Sequence, residues 1–150
     1  VKFTNTKEGS ITVVKDAVPD DEQDFTFTST TLSPSPFNLD DDADPTLSNT
    51  KAFTNLAPGT YNVTETVPSG WNLTNISFTG DDGDSSSSDS KATIDLDAGE
   101  SITVTFTNTK KGTITIKKQT LPDGGTDFWF TSNVGAVTGF SLDDDETMIF

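Results

Sequence analysis

Two sets of side chains in this 150-residue chain are of types that could do chemistry. The first is acidic: Asp40, Asp41 and Asp42, which recur 103 positions later as Asp143, Asp144 and Asp145. Hard carboxylate oxygens suit calcium, which takes about six to eight of them. These six aspartates are the candidate calcium ligands, and GDDGD (80–84) is a second acidic run. Their spacing fits no familiar calcium loop, and solvated turns, which aspartate favours, account for them equally well. The second set is three polar residues on faces that the sequence pattern assigns to the core. Lys15 follows Ile11 and Val13 at a period of two, and Asn108 follows Val104 and Phe106. Glu65 lies between Val63 and Val67 on one face of another strand. Ionisable groups are rarely buried unless paired. Lys15 and Asn108 come at the ends of their patterned runs, where a side chain can also curl into solvent; Glu65 has no such exit.

What the chain lacks narrows the choice. It has no Cys and no His, and all nine basic residues are Lys, against 24 acidic ones. Cys–His and Ser–His–Asp catalysis, His-ligated zinc and arginine clamps on phosphate are therefore impossible within it. No glycine-rich phosphate loop is present. The formal charge of −15 repels nucleic acid and anionic membranes. An enzyme is not expected.

The elements that must position these residues are strands. Apolar residues alternate with Thr, Ser and Asn in SITVVK (10–15), DFTFTS (24–29), TYNVTETV (60–67), NISFTG (75–80), ATIDLD (92–97) and SITVTFTN (101–108). Period two marks half-buried strands. Turn signals separate them, among them VPDD, SPSP, APG, PSG and AGE. No stretch has a helical period, and Thr is abundant where a helix would want Ala or Leu. About seven short strands with frequent turns describe an all-β, Ig-like sandwich.

The pattern also repeats. VKFTNTK (1–7) returns as VTFTNTK (104–110), GSITVVK (9–15) as GTITIKK (112–118), and DFTFTS (24–29) as DFWFTS (127–132). At this offset 22 of the 47 overlapping residues are identical without a gap. A unit of this length can bury its own core, so the period implies separate domains in tandem. Residues 1–7 then read as the last strand of a preceding repeat, 8–110 as a complete one, and 111–150 as the first part of another. Lys15 recurs as Lys118 and Asn108 as Asn5. With no initiator Met and a unit left unfinished, the chain reads as a piece of a longer one. The alternative is a subunit whose open end is completed by a neighbour's strand.

GSITVVK, NLAPGTYNVTETVPSGW (55–71) and VTFTNTK together resemble the Cna B-type or SpaA-like prealbumin-fold domains of bacterial surface proteins and pilins. The middle stretch is the most specific. It resembles that family's "E-box", where a PG-x-Y turn leads into a strand bearing Glu-Thr and a Pro-x-Gly-aromatic exit. The resemblance implies a prealbumin-like fold and permits an intramolecular isopeptide bond between Lys15 and Asn108, promoted by Glu65. It also makes Asn5 and Lys118 partial copies of such a site. Burial would lower the lysine pKa and free its lone pair, and would keep Glu65 protonated to shuttle a proton to departing ammonia. Such a bond closes a loop of 93 residues, and by analogy with a disulfide it would stabilise by about 4–5 kcal/mol.

Lesser signals are the sequons at Asn62, Asn72 and Asn75, a flexible tip at SSSSDS (85–90), and Trp129, outward-facing where the first copy has Thr26. The expectation is therefore a structural repeat module of an extracellular fibre, stalk or surface adhesin. Its partners are neighbouring copies of the same repeat; neither nucleic acid nor membrane insertion is expected, and no cofactor is required beyond candidate calcium. The alternative is an adhesin domain whose loops recognise a host, matrix or glycan ligand.

Overall fold

The structure is a computed structural model describing residues 1–150, and it contains strands and no helix. It divides into two compact units, Val1–Lys111 and Gly112–Phe150.

In the first unit the chain forms β1 (Gly9–Val18), β2 (Asp21–Thr28), β3 (Phe37–Asp41), β4 (Thr50–Leu56) and β5 (Gly59–Thr66). It continues through β6 (Trp71–Thr79), β7 (Ser86–Ser88), β8 (Lys91–Leu96) and β9 (Ser101–Lys110). One sheet runs in the order β4-β1-β9-β6 and the other β3-β2-β5-β8-β7. All pairings are antiparallel except one. The first and last strands, β1 and β9, run parallel side by side from Ser10 opposite Ser101 to Val18 opposite Thr109.

The alternation of the sequence is the alternation of burial. Along β1, Gly9, Ile11, Val13, Lys15 and Ala17 are buried, and along β9 Ile102, Val104, Phe106 and Asn108 are. Facing them from the second sheet are Phe25 and Phe27 of β2, Val63 of β5, and Ile94 and Leu96 of β8. Phe27 bridges the layers, edge-on to Phe106 at 5.2 Å and stacked on Phe37 at 5.5 Å. Phe25 meets Trp71 edge-on at 5.2 Å. Such aromatic pairs add roughly 0.5–1.5 kcal/mol each beyond their buried area. Gly9 opens β1 because nothing larger fits: a Cβ there would stand 2.6 Å from the Glu100 carbonyl oxygen, which accepts the Ser10 N–H.

The strands are more numerous than the period-two runs suggest. The serine tract, expected to be a flexible tip, contains the edge strand β7, paired with β8 from Ser86–Thr93 to Ser88–Lys91. Asp89, at φ 52°, turns the chain between them; aspartate tolerates this conformation better than most residues. Polar side chains suit an edge strand because they discourage further pairing. Residues 1–8, in contrast, are exposed and in no strand, although 104–110 repeats most of their sequence as β9. A strand needs a partner, and both edges of β1 are taken, by β4 and β9.

The second unit holds two small ladders. In one, β10 (Thr115–Lys117) pairs with β13 (Thr147–Ile149). In the other, β11 (Phe128–Thr131) pairs with β12 (Gly139–Leu142).

Because Phe27 is fully buried between the layers, Phe27→Ala is expected to cost about 3–5 kcal/mol. Glu22→Ala, exposed on the same strand, is expected to stay within about 0.5 kcal/mol. Urea denaturation of the two variants checks the contrast.

A buried lysine, glutamate and asparagine

The three inward polar residues meet in the core. Lys15 and Asn108 are 0 % exposed and Glu65 2 %. Lys15 is not at the end of its strand: β1 runs on through Ala17, itself buried, to Val18, so the side chain has no route to solvent. β9 likewise continues past Asn108 to Lys110. Glu65 comes from the opposite sheet, on β5, where it lies across from Phe27.

Lys15 Nζ donates to three oxygens: the Asp16 carbonyl at 2.7 Å, the Phe106 carbonyl at 3.0 Å and Asn108 Oδ1 at 3.1 Å. An ammonium has three protons to place, and each has a partner. The Phe25 ring covers the same nitrogen, with its centroid 4.1 Å away. Asn108 Nδ2 in turn donates to Glu65 Oε2 at 3.3 Å. The other glutamate oxygen, Oε1, is buried without a partner, an arrangement costly for a carboxylate and much cheaper for a neutral carboxyl.

The electrostatics agree with the geometry. Burial pushes the Lys15 pKa down from 10.5 to about 8, against the attraction of Glu65, Asp16 and Asp41, which favours the ammonium. Burial pushes the Glu65 carboxyl above its ordinary value, opposed by Lys15 and by the Asn108 hydrogen bond. Desolvation thus drives both groups toward their neutral forms. The chemistry open to the arrangement is a neutral amine facing a carboxamide that is hydrogen-bonded to a carboxyl group.

The partial copies lie elsewhere. Asn5 is exposed and outside any strand. In the second unit Lys118 Nζ donates to the Gln119 carbonyl at 2.5 Å and stands 4.2 Å from the centroid of the Phe128 ring.

Neither run of three aspartates brings its carboxylates together. Asp40 is buried, and burial, then Asp42, push its pKa up. Asp41 accepts the Ala17 N–H at 2.8 Å and the Asn49 side-chain amide at 3.2 Å. Asp42 accepts the Asp44 N–H at 2.8 Å. In the second unit Asp143 accepts the Asp127 N–H at 2.6 Å, and Asp144 accepts those of Thr120 and Gly124 at 2.7 and 3.0 Å. These backbone donors hold the Asp144 carboxyl below its ordinary value. Asp145 pairs with Lys117 at 2.7 Å. The acidic group that does converge is Asp81, Asp82 and Glu100, with oxygens within 4.8 Å of one another. The GDDGD run points to two of these. In the sequence Glu100 belongs only to the AGE turn, and its approach to the two aspartates depends on the fold.

Of the remaining candidates, Trp71 is core and Trp129 is 70 % exposed. Asn62 faces Thr30, accepting its N–H at 3.1 Å and donating to its hydroxyl at 2.8 Å.

A sandwich whose first and last strands run parallel around a buried Lys, Glu and Asn defines a class of domain. The family model for the prealbumin-like fold domain matches residues 11–110, and the chain belongs to that family. Among solved structures it is similar to a Mobiluncus mulieris adhesin described as containing intramolecular disulfide, isopeptide and ester bond cross-links. The TM-score is 0.51 at 19% identity, over 69% of this chain and 42% of that one. It also resembles the Bacillus anthracis TIE protein, with TM-score 0.47 and 18% identity, over 96% of this chain and 26% of that one. The chain therefore spans less than half the length of these structures. No curated protein matches it.

The depressed lysine pKa has a consequence for an uncross-linked variant such as Asn108→Ala. Between about pH 8 and 10.5 the unfolded chain binds the Lys15 proton and the folded chain does not, so stability rises with pH across that window. Denaturation midpoints at pH 7.5, 9 and 10 are expected to increase in that order. Lys15→Met in the same background is expected to flatten the slope.

Proposed function

We propose that the chain is a structural module of an extracellular fibre, stalk or surface adhesin, braced by an isopeptide bond between Lys15 and Asn108. The observation that carries this reading is the contact between Lys15 Nζ and Asn108 Oδ1, 3.1 Å apart in the core with Glu65 beside them. The family, and the cross-linked adhesin with the same fold, support it.

Each ammonium proton is already committed, so losing the one directed at Asn108 leaves the lone pair facing the carboxamide. The Glu65 carboxylate takes up that proton. The amine attacks Asn108 Cγ, the Nζ–Cγ bond forms, and Glu65 passes its proton to Nδ2 as the Cγ–Nδ2 bond breaks. Nζ, cationic after the attack, then gives up a second proton, which Glu65 relays to the departing ammonia. The five hydrogens that start on the two nitrogens end as one on the isopeptide and four on ammonium, with Glu65 again a carboxylate. Folding supplies the alignment, worth about 7–11 kcal/mol of barrier for a well-placed pair. The event occurs once per chain and alters only the protein itself.

Accurate mass of the intact chain tests the reading. The expected result is a deficit of one ammonia, mapped to linked peptides containing Lys15 and Asn108, and absent in Glu65→Ala. A full mass in the wild-type chain would overturn it.

The pH dependence follows from the shared proton. Reaction needs the lysine–glutamate pair to hold one proton beyond the neutral amine and carboxylate. That proton leaves as pH rises through the lysine value of about 8. The rate is therefore expected to fall above pH 8, and to fall again in acid once both groups are protonated. Timed mass measurements after refolding at a series of pH values would show the two limbs.

A further inference from the structure

The structure repeats one arrangement around Lys15 and around Lys118. The peptide between Asp16 and Ala17 is held at both ends: its carbonyl accepts Lys15 Nζ at 2.7 Å, and its N–H donates to Asp41 Oδ2 at 2.8 Å. In the second unit the peptide between Gln119 and Thr120 accepts Lys118 Nζ and donates to Asp144 Oδ1 at 2.7 Å. An aromatic ring covers the lysine in each case, Phe25 at 4.1 Å and Phe128 at 4.2 Å. The positions equivalent to Glu65 and Asn108 fall outside residues 112–150, and within these residues the lysine is held in the same way.

We infer that Asp41 is a positioning residue for the Lys15–Asn108 cross-link, fixing through the Asp16–Ala17 peptide the direction in which the lysine presents its lone pair. The inference rests on the isopeptide reading. A neutral amine keeps two N–H groups. If they are spent on the Asp16 and Phe106 carbonyls, the lone pair has only the Asn108 carboxamide to face. The Phe106 carbonyl is fixed by the ladder of β9. At Asp16 and Ala17 β1 is still paired with β9, but its pairing with β4 has stopped at Val14. On that side the Asp41 carboxylate takes the Ala17 N–H in place of a ladder partner. A peptide whose N–H is bonded to a carboxylate is also a stronger acceptor at its carbonyl. The arrangement gives the first aspartate cluster a role in both units that needs no metal.

Asp41 also acts on Lys15 by charge, and the two effects oppose each other. The charged groups bearing on Lys15 are Glu65 on β5, Asp16 on β1 and Asp41 on β3, and each favours the ammonium. Removing the carboxylate's charge while keeping its oxygen therefore separates them. Asp41→Asn retains an acceptor for the Ala17 N–H; Asp41→Ala does not.

The test is the rate of ammonia loss by intact mass. Each chain would be recovered in urea from inclusion bodies and diluted into buffers from pH 5 to 10. Asp41→Ala is expected to react at least about tenfold more slowly than wild type, a modest loss for misplacement of a reacting atom. Asp41→Asn is expected to recover most of that rate, and to move the alkaline limb of its pH profile to lower pH. Asp41→Ala reacting at the wild-type rate, or Asp41→Asn slowed as much as Asp41→Ala, would overturn the inference. If Asp41→Ala fails to fold, the Asp41→Asn profile decides, and an unmoved alkaline limb is the contrary result. Failure of the wild-type chain to lose ammonia at any pH would instead remove the isopeptide reading itself.

Discussion

A lysine ammonium with no access to water is the constraint around which this sandwich is built. Burying it is tolerable only because every proton has an acceptor: two backbone carbonyls and the Asn108 side chain. Those acceptors come from the first and last strands, so the lysine can be satisfied only when β1 and β9 lie side by side in register. Glu65 imposes a second condition. It reaches Asn108 from the opposite sheet, and therefore only when the two layers are packed. Truncating any one of the three would leave a buried polar group exposed to the full cost of desolvation. The polar cluster is thus formed by the correct fold and by few others.

The same topology determines how the domain meets tension. Because β1 and β9 are parallel neighbours, the chain enters at one end of the sandwich and leaves at the other, along strands of ten residues each. Pulling on the two ends shears this strand pair along its length instead of peeling it. A covalent link between Lys15 and Asn108 would join the two sheared strands directly. The chain between its ends, which are 93 positions apart, would then lie outside the path of the force. A spacer in a surface fibre needs that property, and a binding head does not.

Much of this was legible in the sequence, for a specific reason. In a two-layered sandwich the period of two leaves each side chain one of two faces, so a polar residue in phase with Ile11 and Val13, or with Val104 and Phe106, stands out at once. The strand ends were less legible. Nothing in VVKDAV shows that β1 continues past Lys15, and that continuation is what closes the lysine's route to water. Register across strands distant in sequence, which brings Lys15 opposite Phe106, is a property of the sheet. The acidic clusters were the least legible part. An aspartate reads alike whether it binds a cation, caps a turn or holds a backbone N–H, and Asp41 and Asp144 do the last of these. The serine run misled because its composition is that of a linker, while its neighbour β8 offers a free edge.

The most direct test of the account is a force–extension measurement on the first unit. The chain has no native cysteine, so Thr4→Cys and Gly112→Cys would provide unique handles on either side of β1 and β9. Even at forces that unfold ordinary sandwiches, the tether is expected never to gain the length stored between Lys15 and Asn108. That length is on the order of 300 Å for a fully extended chain. Glu65→Ala should release it. An unfolding step of that size in the wild-type chain would show that load passes through the core, and would contradict the account.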